Sequence, residues 1–350
     1  MGQQVRSGNG SGCPAATTTS GARRLVRSLA RRGARGVVRR LPPSVANLLR
    51  RTVSEYRTTS LVGQARLTVH RGLCEGGIPD AVHTFRLPDR PHLSFVAADS
   101  LVLSRLYWLG EQGWEPELMP WWRYFCRQSQ GVLELGANVG YFSVQGGQAI
   151  TSARYVAVEP HPCSREVCRA NLDLNDITSL HLVRAAAVAD LSVSSIQLLV
   201  PADQRALPTV AFLAADSELP RGMGRKRSVV AMDVPTVDVR SLLDGVDLLK
   251  LDVEGQEHAL LAAARRYLHA HHSTVFVEVL PGTPRLRGLL ADLCEEDGYR
   301  CYAATRTRLV PLHPARLGAV RLKEDYGSQD VILSVANLPG TIAACGNRPS

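Results

Sequence analysis

Lysine is almost missing from this chain of 350 residues: Lys226, Lys250 and Lys323 are the only three among 41 basic side chains. Arginine supplies the rest, a bias that reflects genome composition, so arginine richness alone argues for no particular partner. The first 54 residues contain no Asp, Glu or Lys and 11 Arg, which puts the whole basic excess at the N-terminal end. The remaining 296 residues hold 30 basic and 32 acidic side chains, so the body has no general attraction for nucleic acid. No C-x-x-C pair occurs among the eight cysteines, which argues against a zinc ribbon or redox motif. A disulfide-held secreted domain is shorter and richer in cysteine. Apolar runs nowhere approach the roughly 18 residues of a membrane span. Arginine recurs from Arg23 to Arg40, where a signal peptide has its apolar core, and Arg6 stands where a myristoylation motif wants Ser or Thr. These absences together predict a reduced, cytoplasmic protein.

What is present is ordinary for a folded chain: 45% hydrophobic and 21% charged residues, with mean hydropathy −0.05. A wholly disordered, fibrous or collagen-like protein is excluded. Residues 1–54 read as a basic arm, disordered up to about residue 22 and amphipathic from Arg23 to Val53, where Leu and Val alternate with Arg around Pro42-Pro43. Such a segment suits peripheral contact with an anionic membrane through residues 23–53, or is a solvated extension with no dedicated partner. Residues 55–125 read as a lead-in with short edge strands at Leu67–Val69, His83–Leu87 and Leu93–Val96, followed by an aromatic segment holding all four Trp. Those aromatics either pack a helix onto a sheet or line a pocket.

After residue 130 the pattern becomes regular. Apolar runs at Val132–Leu135, Tyr155–Val158, Leu180–Val183, Leu248–Leu251 and Val275–Leu280 predict buried strands. Helical patterns at Ser164–Leu174, Glu257–Leu268 and Arg285–Asp297 alternate with them, which predicts a mostly parallel sheet with helices on both faces. Cys301–Thr305 and Val331–Val335 are expected to close the sheet as an antiparallel edge pair.

Three strand ends carry chemistry. Val132 to Ser143 runs a buried strand into a turn with Gly136 and Gly140, which lets backbone approach a ligand at the carboxyl edge of a sheet. Its G-x-x-x-G spacing differs from the G-x-G-x-x-G of nicotinamide enzymes, which disfavours a dehydrogenase. The next strand ends at Glu159, about 20 residues on, where a carboxylate can accept both hydroxyls of a ribose. The third, Asp247 to Glu257, ends an apolar strand on Asp252 and Glu254 with Lys250 inside it. Charged groups there cost desolvation unless they face a site or a partner. Glu278 ends the following strand at the same edge, where it can bind acceptor hydroxyls. His269, His271 and His272 suit the end of a helix better than a metal site.

In combination these pieces resemble the FkbM-type S-adenosylmethionine-dependent methyltransferases. The matching residues are the run from Glu134 to Ser143, then Glu159-Pro160-His161-Pro162 with Asn171 closing the next helix. Thr-Val-Asp-Val at 236–239 and Lys-Leu-Asp-Val-Glu-Gly-Gln-Glu at 250–257 complete them, with Trp114-Glu115-Pro116-Glu117 ahead of the set. The resemblance covers roughly residues 110–340. It implies a class I methyltransferase (Rossmann-like) α/β fold, a methyltransferase domain over 126–340 with a short tail at 341–350, and S-adenosyl-L-methionine as cofactor. It further implies that Gly136, Ala137, Asn138 and Gly140 line the methionine part of that cofactor, with Glu134 standing where the family has Asp. Glu159 would bind the ribose and Asp190 the adenine.

Transfer to a hydroxyl gains from a base that takes its proton. Asp252 and Glu254 are the candidates, with His258 one helical turn beyond Glu254, while Glu278 and Lys250 are candidates for acceptor binding. No residue set is singled out as metal ligands, and a divalent metal is allowed without being indicated. The expected acceptor is a hydroxyl of a sugar, glycan or natural-product intermediate, with no specific nucleic acid as partner. Residues 200–232 read as a variable loop shaping its pocket. The alternative is a non-catalytic protein that keeps the fold and docks through its Arg-rich arm.

Overall fold

The computed structural model describes residues 33, 35–54, 72–150, 153–192, 194–202, 207–209, 211–213, 229–338 and 340–341. The expected strand at Leu67–Val69, the arm before residue 33 and most of 200–232 lie outside the described residues.

The arm's described part ends in helix α1 (Pro43–Ser54), which has two unlike faces. Val38, just ahead of it, and Ala46 are buried against the body, whereas Val37 and Leu48 are 66% and 64% exposed. Arg50 holds the inner face by donating to the carbonyls of Tyr107 (2.7 Å) and Arg86 (2.6 Å), with its guanidinium 4.2 Å from the Tyr107 ring centre. Two lead-in runs form the antiparallel hairpin β1 (Thr84–Arg86) and β2 (Ser94–Val96).

The aromatic segment supplies helices α2 (Leu101–Leu109) and α3 (Met119–Cys126). Trp108, Trp121 and Trp122 are fully buried, and each indole N–H finds a carbonyl, on Gly77, Thr305 and Phe142 respectively. Each such ring removes roughly 150–250 Å² from water. Packing is therefore what three of the four tryptophans do.

Strands β3 (Gly131–Leu135), β4 (Arg154–Val158), β5 (Leu180–Val183), β10 (Leu248–Leu251) and β11 (Thr274–Glu278) run parallel. Strand β14 (Asp330–Ser334) is antiparallel to both β11 and β12 (Arg300–Ala304), and β13 (Leu309–Leu312) adds a further antiparallel edge. Together they make one eight-stranded sheet in the order β13-β12-β14-β11-β10-β3-β4-β5. The expected pair 301–305 and 331–335 is thus present, one residue earlier in each case, but β13 lies outside it.

Side-chain alternation along these strands sets two layers. Leu133, Leu135, Leu249, Leu251, Val275 and Val277 pack against α6 (Glu257–His271) and α7 (Pro284–Glu296). Val132, Tyr155, Leu248, Phe276 and Ile332 face the aromatic layer, together with α4 (Tyr141–Ala149) and α5 (Pro162–Asp173). Helices cover both faces, giving an α/β fold with a mostly parallel central sheet. The same alternation turns Glu134, Lys250 and Glu278 toward the aromatic layer, at the carboxyl ends of their strands.

A second sheet contains β6 (Ala186–Val188), β7 (Ser195–Pro201), β8 (Phe212–Leu213) and β9 (Val229–Asp238), in the order β6-β9-β7-β8. Strand β6 pairs with β9 rather than continuing the main sheet beside β5. Short helix α8 (Leu322–Tyr326) precedes β14.

Candidate active site

The carboxyl ends of β3, β4, β10 and β11 open on one cavity of about 340 Å³. Its wall includes Glu134, Gly136, Ala137, Asn138, Glu159, Lys250, Asp252, Glu254 and Glu278, so nine of the twelve candidate residues converge there. Gly140, Asp190 and His258 do not line it.

Each of those three departures has a structural reason. At Gly140 the backbone has φ +80° and an added Cβ would meet Cys168 Sγ at 2.7 Å, so this glycine serves the contact between the turn and α5. Asp190 lies two residues beyond β6 and is exposed, off the wall that Ala186 and Ala187 of the same strand help to line. His258 sits half-buried in the first turn of α6, away from the wall.

On the side of the glycine turn, almost every polar atom is engaged. The N–H groups of Gly136 and Ala137 both donate to the Val158 carbonyl, at 3.0 and 3.1 Å. Gly136 has φ +89°, and a Cβ there would lie 1.8 Å from the Asp252 carbonyl oxygen, so no other residue fits. Glu159 is 6% exposed and accepts from the backbone N–H of Asn138 through Oε2 and of His161 through Oε1, both at 2.7 Å. Burial pushes its carboxyl up to about 7, against the pull of those two N–H groups. Asn138 donates through Nδ2 to the Pro208 carbonyl at 3.1 Å, which ties the segment ahead of β8 to the turn.

Glu134 lies deeper and is 1% exposed. Its Oε2 accepts from the hydroxyls of Ser143 (2.7 Å) and Tyr155 (2.6 Å), while its Oε1 is buried without a hydrogen-bond partner. Lys250 stands opposite it in register on β10. The Lys250 ammonium bonds Asp252 Oδ2 at 2.7 Å and sits 4.4 Å from the Phe142 ring centre. Burial alone would depress this ammonium, but the carboxylates of Asp252, Glu115, Glu134 and Asp330 outweigh it and hold it above its ordinary value.

The ends of β10 and β11 are crowded with acids. One carboxylate oxygen from each of Asp252, Glu254 and Glu278 lies within 4.8 Å of the others. Burial, then the neighbouring Asp252 and Glu257 carboxylates, push Glu254 up to about 8. The Glu278 carboxyl is held well above the usual range by burial and by Asp252 and Glu254. Its Oε1 accepts from the Gln329 amide at 3.1 Å, while Oε2 is buried and unpartnered. Glu257 organises the loop between them: it accepts from the N–H groups of Val253 and Gly255.

Sequence reasoning gave no role to Glu115, yet it lines the cavity, with φ +40° and an Oε2 that is buried and unpartnered. Its signal was the Trp114-Glu115-Pro116-Glu117 segment, which places Trp114 on the wall as well. Lys323 and Gln329 also reach it and had no local signature. The helix-end histidines His269 and His271 serve other contacts: His269 pairs with Asp297 at 2.7 Å, and His271 stacks on Tyr267.

Comparison with known proteins follows the same lines. Among solved structures the chain is similar to an O-methyltransferase from Bacillus cereus in complex with SAH, at 11% identity over 63% of this chain and 80% of that one, with TM-score 0.35. A methyltransferase FkbM from Methylobacillus flagellatus is similar at 16% identity over 67% of this chain and 53% of that one, with TM-score 0.35. TYW2 of M. jannaschii in complex with AdoMet is similar at 13% identity over 63% and 75%, with TM-score 0.33. No curated protein matches the chain. The family model described as the methyltransferase FkbM domain matches residues 134–301, and over that stretch the chain is similar to this methyltransferase family.

Proposed function

We propose that the protein transfers a methyl group from S-adenosylmethionine to a hydroxyl oxygen of a sugar, glycan or natural-product intermediate. The observation that carries this reading is the joining of the Gly136–Asn138 turn and the Glu159 carboxylate in one cavity with a group of carboxylates. The residues fit the cofactor. Glu134 offers a buried, unpartnered Oε1 where a cationic amino group would be welcome, and Gly136 keeps the wall free of side chain. Glu159 is held rigidly by two backbone N–H groups and keeps lone pairs for a pair of ribose hydroxyls.

S-adenosylmethionine, when bound, supplies a methyl group already activated on a sulfonium, so the protein's share is chiefly placement. Lys250 and Glu278 are positioned to hold acceptor oxygens. Asp252 and Glu254 are positioned to accept the hydroxyl proton. Oxygen as the atom methylated is the finer part of the proposal.

The test is calorimetric titration with S-adenosylmethionine and S-adenosylhomocysteine, followed by S-adenosylhomocysteine release in the presence of a panel of hydroxyl acceptors. Micromolar binding and acceptor-dependent release support the reading. A folded protein that binds neither compound contradicts it and favours a docking role for the arginine-rich arm.

A further inference from the structure

We propose that Asp252, Glu254 and Glu278 form a binding site for one divalent cation of the oxygen-preferring class, Mg²⁺, Mn²⁺ or Ca²⁺. The three side chains come from two neighbouring strand ends and present oxygens within 4.8 Å of one another. Such cations bind oxygens at about 2.0–2.6 Å, so ligands on opposite sides of the ion stand roughly 4–5 Å apart. An all-carboxylate set selects for hard cations over zinc or copper.

A second observation asks for positive charge in the same cavity. The Oε2 atoms of Glu278 and Glu115 and the Oε1 of Glu134 are all shut away from solvent with no hydrogen-bond partner, and all three residues line this cavity. A buried carboxylate oxygen left unpaired carries its full desolvation cost. Six carboxylates line the cavity, those of Glu115, Glu134, Glu159, Asp252, Glu254 and Glu278, against the cations of Arg105, Lys250 and Lys323. Lys250 is spent on Asp252 Oδ2 and the Phe142 ring, which leaves the Glu254 and Glu278 side without an ammonium of its own.

The surroundings are built to present these ligands. Gln329 fixes Glu278 through Oε1 and leaves Oε2 turned elsewhere. Glu257 gathers the Val253 and Gly255 N–H groups, which fixes the loop on which Asp252 and Glu254 stand. Outer contacts of this kind orient metal ligands. A cation held here would bind an acceptor hydroxyl and ease loss of its proton; that role rests on the methyl-transfer reading, whereas the site does not.

The experiment is Mn²⁺ binding by electron paramagnetic resonance to the full chain, chelator-treated and free of S-adenosylmethionine, so its result is independent of whether the cofactor binds. One bound Mn²⁺ per chain is expected, displaced by Mg²⁺ or Ca²⁺. Glu278→Gln and Glu254→Gln should each weaken it by about tenfold or more, while Glu166→Gln, on α5 away from the cavity, leaves it unchanged. Glu254 stands in a loop, so its variant remains informative where Glu278→Gln fails to fold. Absence of a saturable equivalent, or binding indifferent to both variants, overturns the proposal.

Discussion

Two neighbouring groups of residues line the cavity in contrasting states. Around Gly136–Asn138 and Glu159, hydrogen bonds are closed: the turn leans on the Val158 carbonyl, and both oxygens of Glu159 accept backbone N–H groups. Around Asp252, Glu254, Glu278 and Glu115, Glu278 and Glu115 each keep an unpartnered oxygen, and carboxyls are pushed upward by burial and by one another. The first wall has its form before anything binds. The second is electrostatically incomplete and gains most from a positive ligand. One pre-shaped wall and one charged wall suit a site that must hold one partner closely and tune the reactivity of another.

The largest expected effect breaks the closed wall. Gly136→Ala puts a Cβ 1.8 Å from the Asp252 carbonyl oxygen at φ +89°, and should cost about 3 kcal/mol or more of stability, measured by urea unfolding, together with loss of cofactor binding. Next comes the pH dependence of the open wall. Glu254 is raised from 4.5 to about 8 in the folded protein, so the folded state binds the extra proton. Stability from this group is full below about 4.5 and falls as pH rises through about 8, and melting temperature should decline over that window. Glu254→Gln should flatten the decline; a melting temperature that rises over the same window in the wild type contradicts the assignment. Smallest are the residues outside the cavity: Asp190→Ala and His258→Ala should change S-adenosylhomocysteine affinity by under about 0.5 kcal/mol, checked by calorimetry. A large loss from Asp190→Ala would support a role for it in binding adenine.

Much of the closed wall was legible in the sequence, because parallel strands buried on both faces leave continuous apolar runs. Leu180–Val183 is found with those same bounds, Glu134 stands one residue before the end of β3, and Glu159 stands just beyond β4. The open wall was legible only in part. Period-two alternation in Val275-Phe276-Val277-Glu278 puts Glu278 on the cavity face, but Glu115 reaches it through tertiary packing of the aromatic segment, which no local pattern encodes. Strand β13 escaped notice because Pro311 interrupts its pattern, a residue an edge strand tolerates. Asp190 stands exposed two residues beyond β6 and does not line the cavity, although Ala186 and Ala187 of that strand do.

The measurement that tests the division of the cavity most directly is S-adenosylhomocysteine binding by calorimetry to the wild type, Glu159→Ala and Glu254→Gln side by side. Micromolar binding is expected, weakened by about 1–3 kcal/mol in Glu159→Ala and left nearly unchanged in Glu254→Gln. Equal losses in both variants, or no loss in Glu159→Ala, would contradict the division.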